Sequence, residues 1–175
     1  MLRYIYFYFV FSSSLLLSKE NNFQLISSDF NNNETIPVKF TCTGKDISPK
    51  LLIKNIPLQT KSLVLIVDDP DAPAGIWVHW ILYNIPINIT KIKENQKKGV
   101  MKLKWGGLQG INSWGKFGYG GPCPPTGIHR YFFKLYAVNK KLKPVKKITK
   151  QQIMKMIKGH IIATTKLTGL YKKKR

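Results

Sequence analysis

Between Asp68 and Trp80 the chain reads DDPDAPAGIWVHW, which gathers three of its eight acidic residues and one of its three histidines into thirteen positions. The cluster follows the apolar run Leu63 to Val67, so charge is concentrated at the end of a buried strand. Carboxylates and an imidazole are costly to bury unless they bind something or one another, which makes the stretch a candidate site. A neighbouring carboxylate favours the imidazolium, and an imidazolium donates to anions. The same residues also read as turn chemistry, since Pro70 and Pro73 can fix a sharp exit and aspartates can bond their own backbone.

A second constellation lies downstream. Glycines at 106, 107, 110, 115, 118, 120 and 121 run into Pro122-Cys123-Pro124-Pro125. This is neither a GxGxxG turn between a strand and a helix nor a P-loop, because no GK[ST] follows, and it also reads as a long ordered surface loop. Behind it, GIHRYFFKLYAV from Gly127 to Val138 has strand composition, and alternation puts His129, Tyr131, Phe133 and Leu135 on one face. Two histidines, His79 and His129, therefore each open a strand after a proline-containing loop, while the aspartates close one. The three share a site only if those strand ends meet at one end of a sheet, which spacing does not establish.

The elements that must position these residues are mostly short strands. Phe23 to Ile26, the turn Asn31-Asn32-Asn33 and the alternation of Ile36, Val38 and Phe40 read as strand, turn and strand. Gly44 to Pro49 is loop, and Leu51 to Ile53 is a short strand. Ser62 to Val67 and Val78 to Ile85 are apolar on both faces, the mark of interior strands covered on two sides. Simple alternation sends Trp77, His79, Ile81 and Tyr83 one way and Val78, Trp80, Leu82 and Asn84 the other. Asp68 falls on the opposite face of its strand from Asp69, and Trp77 and Trp80 read as rim or packing. Lys91 to Lys104 is a basic surface excursion.

At 175 residues and 43% hydrophobic, the chain suits one domain with a substantial core, and no period of about 20–50 residues suggests a repeat array. The net charge of +21 raises nonspecific attraction to polyanions at low salt, but scattered lysines without an interleaved aromatic stripe do not outline a nucleic-acid surface. Residues 1–20 read as a secretory signal peptide or an N-terminal anchor: Arg3, the apolar run Tyr4 to Phe11, and small residues with cleavage after Ser14 or near Ser18. The remainder, 21–175, is expected to be the domain, exported to the periplasm or medium if the signal operates and cytoplasmic otherwise. Cys42 and Cys123 have no CxxC neighbour, which leaves a disulfide or two buried thiols; a bridge across that separation would be worth roughly 4 kcal/mol.

DDPDAP followed by WVHWILYNIP, and then GYGGPCPPTGIHRYFFKLYAV, resembles the phosphatidylethanolamine-binding protein family, in its bacterial and archaeal form also called Raf kinase inhibitor-like. FQLISSDF and FTCTGKDISP resemble the family's opening, and the resemblance runs to KGHIIATTKLTGLYKKKR. It implies a mainly β, sandwich-like domain with a few short peripheral helices, Gln151 to Ile157 among them, and a closing strand at Ala163 to Leu170. It also implies a pocket for anionic groups such as a phospholipid head-group phosphate. Matched by position, Asp69 and Asp71 are its acidic pair, Pro73 its wall, His79 and His129 its histidines and Tyr131 its tyrosine. Gly121 and Pro122 match the loop at its mouth.

Two departures limit the transfer. Val78 precedes His79 where many eukaryotic relatives carry a second histidine, and the chain ends soon after Leu170, without the longer C-terminal helix that contributes to regulation there. Three classes of function stay open. They are a binding protein for a phosphate-bearing or other small anionic ligand, an inhibitor of a protease or kinase, and a metal-dependent or acid/base enzyme. The reading leans away from an enzyme, because no GxSxG or HExxH occurs, and it calls for no cofactor or bound metal.

Overall fold

The computed structural model describes residues 22–173, so the signal or anchor reading of residues 1–20 lies outside it. Nine strands, one α-helix and one 3-10 turn are found among the described residues. A three-stranded antiparallel sheet has the order β1 (Gln24–Ser27), β3 (Leu51–Lys54), β6 (Lys91–Ile92). A six-stranded sheet has the order β2 (Glu34–Thr35), β9 (Ile161–Tyr171), β8 (His129–Val138), β4 (Ser62–Asp69), β5 (Trp77–Ile85), β7 (Leu108–Gln109). Among the described residues, only β2 runs parallel to its neighbour. The architecture is mainly β, as the resemblance implies.

Two apolar layers explain why β4 is buried along its whole length. On one face Leu63, Leu65 and Val67 join Phe133, Leu135, Leu25 and Ile53 in the core between the sheets. On the other, Val64 and Ile66 pack with Ile153 and Ile157 of α1 (Lys150–Ile157). The helix contributes through an i, i+4 pair, and Thr149 starts it with a reciprocal capping box to Gln152.

Three local readings need correction. Ile36, Val38 and Phe40 do not form a strand. Ile36 still donates its N–H to the Leu170 carbonyl at 2.8 Å, but Pro37 has no N–H to continue a ladder and the chain closes into a 3-10 turn at Val38–Phe40. Phe40 is buried there and Val38 is exposed. The Lys91–Lys104 excursion contributes β6 and buries Ile92 and Leu103. The glycine-rich stretch contributes β7, whose Gln109 is fully buried and accepts the Trp80 indole N–H at 2.9 Å while its amide donates to Lys97 and Val100 carbonyls.

A fourth correction bears on the site. Strict alternation fails in β5, because the pairing passes from Val67↔Trp80 to Asp68↔Val78 and leaves His79 as the extra residue of a β-bulge. His79 consequently shares the inter-sheet side with Trp80, whereas Ile81 and Tyr83 face the helix.

Candidate anion-binding cleft

The antiparallel pairing of β4 with both neighbours settles where the strand ends lie. Asp69 pairs with Trp77 at the start of β5, and Asp68 pairs with Phe132 near the start of β8. The end of β4 is thereby flanked by the two histidine-bearing strand entries. Asp68 and Asp69, being consecutive in a strand, leave on opposite faces. Asp68 faces the helix side, fully buried, with Lys134 Nζ at 2.9 Å and Lys150 Nζ at 2.5 Å. Asp69 faces the other way, into a cleft of about 1150 Å³.

His129 and Asp69 are both buried, and His129 Nδ1 lies 2.8 Å from Asp69 Oδ2. The second carboxylate oxygen of Asp69 accepts the Asp71 backbone N–H at 2.8 Å. Against an ionised carboxylate, Nδ1 carries the proton, which leaves Nε2 as the ring nitrogen open to a ligand. His79 has the same arrangement with a neutral partner, its Nδ1 donating to the Gly120 carbonyl at 2.7 Å. Burial holds the His79 pKa below its ordinary value, although the Gly120 carbonyl and the Asp69 charge both favour the cation.

Tyr131 stands behind His79, the two rings edge-to-face at 5.2 Å. It does not line the cleft. Its hydroxyl is buried without a hydrogen bond, and burial followed by the nearby Asp69 carboxylate raises its pKa, so it stays a phenol able to donate.

Asp71, expected as the second member of an acidic pair, is placed elsewhere. Arg130 grips it with Nη2 at 2.6 Å and Nε at 2.9 Å, and the Arg130 backbone N–H adds a third bond at 2.9 Å. These bonds hold the Asp71 carboxyl well below the usual carboxylate range, at about 2. It stands outside the cleft lining, which takes Ala72, Pro73 and Ala74 from the same loop.

The remaining wall is the glycine-rich loop, laid along the edge of β5 by the Ser113 N–H to the Val78 carbonyl at 2.9 Å and the Gly120 N–H to the His79 carbonyl at 3.0 Å. Among the glycines that line the cleft, close approach requires glycine at two positions. A Cβ on Gly120 would fall 2.5 Å from the Trp114 ring, and one on Gly121 would fall 2.5 Å from the Phe40 carbonyl oxygen. Gly121 lines the cleft; Pro122 does not, and its carbonyl instead accepts the Cys42 N–H at 3.1 Å. Cys42 and Cys123 form a disulfide with their Cα atoms 5.4 Å apart, and both line the cleft.

Several lining residues escaped the sequence reading. Asp46 accepts the Gly121 N–H at 2.6 Å through one oxygen and Lys98 Nζ at 2.6 Å through the other. Trp114 sits edge-on to both Trp77 (5.3 Å) and His79 (5.1 Å), and Lys116 and Lys147 also face the cleft. Asp46 lay inside a stretch that reads as loop, GKDISP, and neither spacing nor charge ties it to a glycine 75 residues later. Among the described residues, no three of His, Cys, Asp and Glu are grouped so as to hold a metal ion.

A sequence model described as phosphatidylethanolamine-binding protein matches residues 26–172. A UPF0098 protein of Methanothermobacter thermautotrophicus is 44% identical over 144 residues, covering 82% of this chain and 95% of that protein. A crystal structure of a phosphatidylethanolamine-binding protein homologue from Chlamydia trachomatis has 40% identity and a TM-score of 0.81, over 88% of this chain and 99% of that one. YbcL of E. coli, described as a member of the mammalian family, has 33% identity and a TM-score of 0.80, over 87% and 99% of the two chains. The chain therefore belongs to the phosphatidylethanolamine-binding protein family and is a ligand-binding protein.

Proposed function

We propose that the cleft binds a small phosphate-bearing anion, of the kind carried by a phospholipid head group. The observation that carries this reading is the pair of lining histidines, each with Nδ1 engaged and Nε2 left for a ligand. With a second proton, either ring donates from Nε2 to a phosphoryl oxygen; without it, the same nitrogen accepts from a phosphate hydroxyl. Lys116 and Lys147 supply positive charge at the cleft without a carboxylate partner among the described ion pairs. The cleft's two carboxylates, Asp46 and Asp69, are already committed, to Lys98 and the Gly121 N–H and to His129 and the Asp71 N–H. Their commitment reduces the repulsion that an entering anion would meet.

A phosphate ester that also carries an ammonium group would find aromatic surface for that end at Trp77 and Trp114. The export reading suits a binding protein that meets such ligands outside the cytoplasm, and N-terminal sequencing of the mature chain checks it. The function is tested by calorimetric titration with phosphate, phosphoethanolamine and acetate. Phosphate and phosphoethanolamine are expected to bind more tightly than acetate, and His129→Ala is expected to abolish the difference. If wild type and His129→Ala bind all three equally, or bind none, the reading fails.

A further inference from the structure

Cys42 and Cys123 are both exposed, although the residues on either side of them, Thr41, Pro122 and Pro124, are buried. Their bond is the covalent tie between two chain segments 81 residues apart in sequence, the 3-10 turn with the loop after it and the glycine-rich wall of the cleft. Phe40 and Tyr119 also pack in the core between the sheets, and the other ties between these segments are hydrogen bonds. They are the Cys42 N–H to Pro122, the Gly121 N–H to Asp46 and the Tyr119 hydroxyl to Phe40. Pro122, Pro124 and Pro125 have no N–H to offer, so the segment around Cys123 is poor in backbone bonds. A solvent-exposed disulfide at the edge of a binding cleft is open to attack in the folded state, unlike a bridge sealed in a core.

We propose that Cys42–Cys123 is a thiol–disulfide exchange site, opened by a dithiol reductant while the protein remains folded, and that its opening releases the glycine-rich wall of the cleft. A thiolate of the reductant attacks one Sγ, the Cys42–Cys123 bond breaks, and the other Sγ leaves as a thiolate that takes a proton. The second thiol of the reductant then closes its own disulfide and frees the first cysteine. Two electrons and two protons pass to the protein, and the reductant is oxidised by the same amount. The Gly120 carbonyl that orients His79 and the Gly121 amide held by Asp46 both lie in the released segment. The cleft is consequently set for its ligand in an oxidising medium and slack in a reducing one.

The affinity part of this inference rests on the anion-binding reading; the loop part does not. The full-length protein is treated with dithiothreitol at neutral pH without denaturant, and thiols, hydrogen exchange and inorganic phosphate binding are followed together. Both thiols are expected to appear, and exchange at 41–46 and 118–126 is expected to quicken about tenfold while β8 and β9 stay protected. Phosphate affinity is expected to fall about tenfold and to return on reoxidation. A Cys42→Ser, Cys123→Ser double variant should reproduce the reduced state; should it not fold, reduction of the wild type still decides. A bond that yields only with global unfolding overturns the proposal, as does unchanged loop exchange after reduction, or equal phosphate affinity in both states. If phosphate binds neither state, the anion reading is what fails, and the exchange result alone decides the loop.

Discussion

His129 Nδ1 lies 2.8 Å from Asp69 Oδ2, both side chains buried, and the pair joins the last residue of β4 to the first of β8. The contact fixes which ring nitrogen carries the proton and how the ring is aimed, so Asp69 acts on a ligand through His129. Asp69→Asn preserves the shape but offers an amide that can turn either its oxygen or its NH2 toward Nδ1. Phosphate affinity is expected to fall about tenfold or more, the scale for losing a partner that orients a liganding imidazole. Stability is expected to fall by about 1–3 kcal/mol. Titration calorimetry and urea midpoints measure the two separately, and unchanged affinity would remove Asp69 from the site.

His79 is expected to make the protein sensitive to mild acid. Its pKa is lowered in the folded state, chiefly by burial, so below about pH 6.5 the unfolded chain takes up a proton that the folded chain refuses. Its contribution to stability is complete above that pH and is lost as the pH falls toward the folded value. Denaturant midpoints measured at pH 7 and pH 5.5 should drop for wild type and drop less for His79→Gln. Phosphate binding that protonates His79 should also draw a proton from the buffer. Calorimetry in two buffers of different ionisation enthalpy reads that uptake, and His79→Gln should diminish it.

Arg130 and Asp71 form a bidentate pair outside the cleft, with the arginine side chain 54% exposed. The depressed Asp71 pKa, about 2, means that the pair's contribution is present above the ordinary carboxylate range and is lost as the pH falls toward 2. Solvent screening limits it to the small amount of an exposed ion pair. Arg130→Ala should therefore lower stability by that amount at neutral pH, with the difference fading in acid, and leave phosphate affinity unchanged. Loss of phosphate binding in this variant would bring the pair into the site.

The residues show why some of the site was legible and some was not. The apolar faces of Ser62 to Val67 mark an interior strand because burial on two sides leaves a continuous hydrophobic run, and β4 is that strand. His79 opening one strand and His129 another are equally visible, but their meeting depends on the register of β4 against both neighbours, which no local pattern encodes. The β-bulge at His79 defeats alternation because one extra residue reverses the faces that follow it. Asp69 and Asp71 look equivalent in DDPDAP. Asp69 faces the cleft through its place in β4, whereas Asp71 is held outside it by Arg130, a residue whose charge in the sequence could belong to solvent. Asp46 was least legible, since its role is to receive one backbone amide from a distant loop.

That amide belongs to Gly121, and its setting supports the last prediction. Gly121→Ala would place a methyl 2.5 Å from the Phe40 carbonyl oxygen and 2.8 Å from the Thr41 Cα. Both are backbone atoms, so relief requires the loop to move as a whole. A shift of that kind is expected to cost about 3 kcal/mol. It would also carry the Gly120 carbonyl away from His79 Nδ1, so phosphate affinity should fall with stability. Gly159→Ala gives the contrast. Its φ of +76° disfavours a side chain, but no atom lies within 4 Å, and it follows α1 away from the cleft. That substitution should cost about 1–2 kcal/mol and leave phosphate binding intact. Urea midpoints and phosphate titrations on the two variants therefore separate a general loss of stability from displacement of the cleft wall, and equal phosphate affinities in both would show that the Gly121 contact does not position the site.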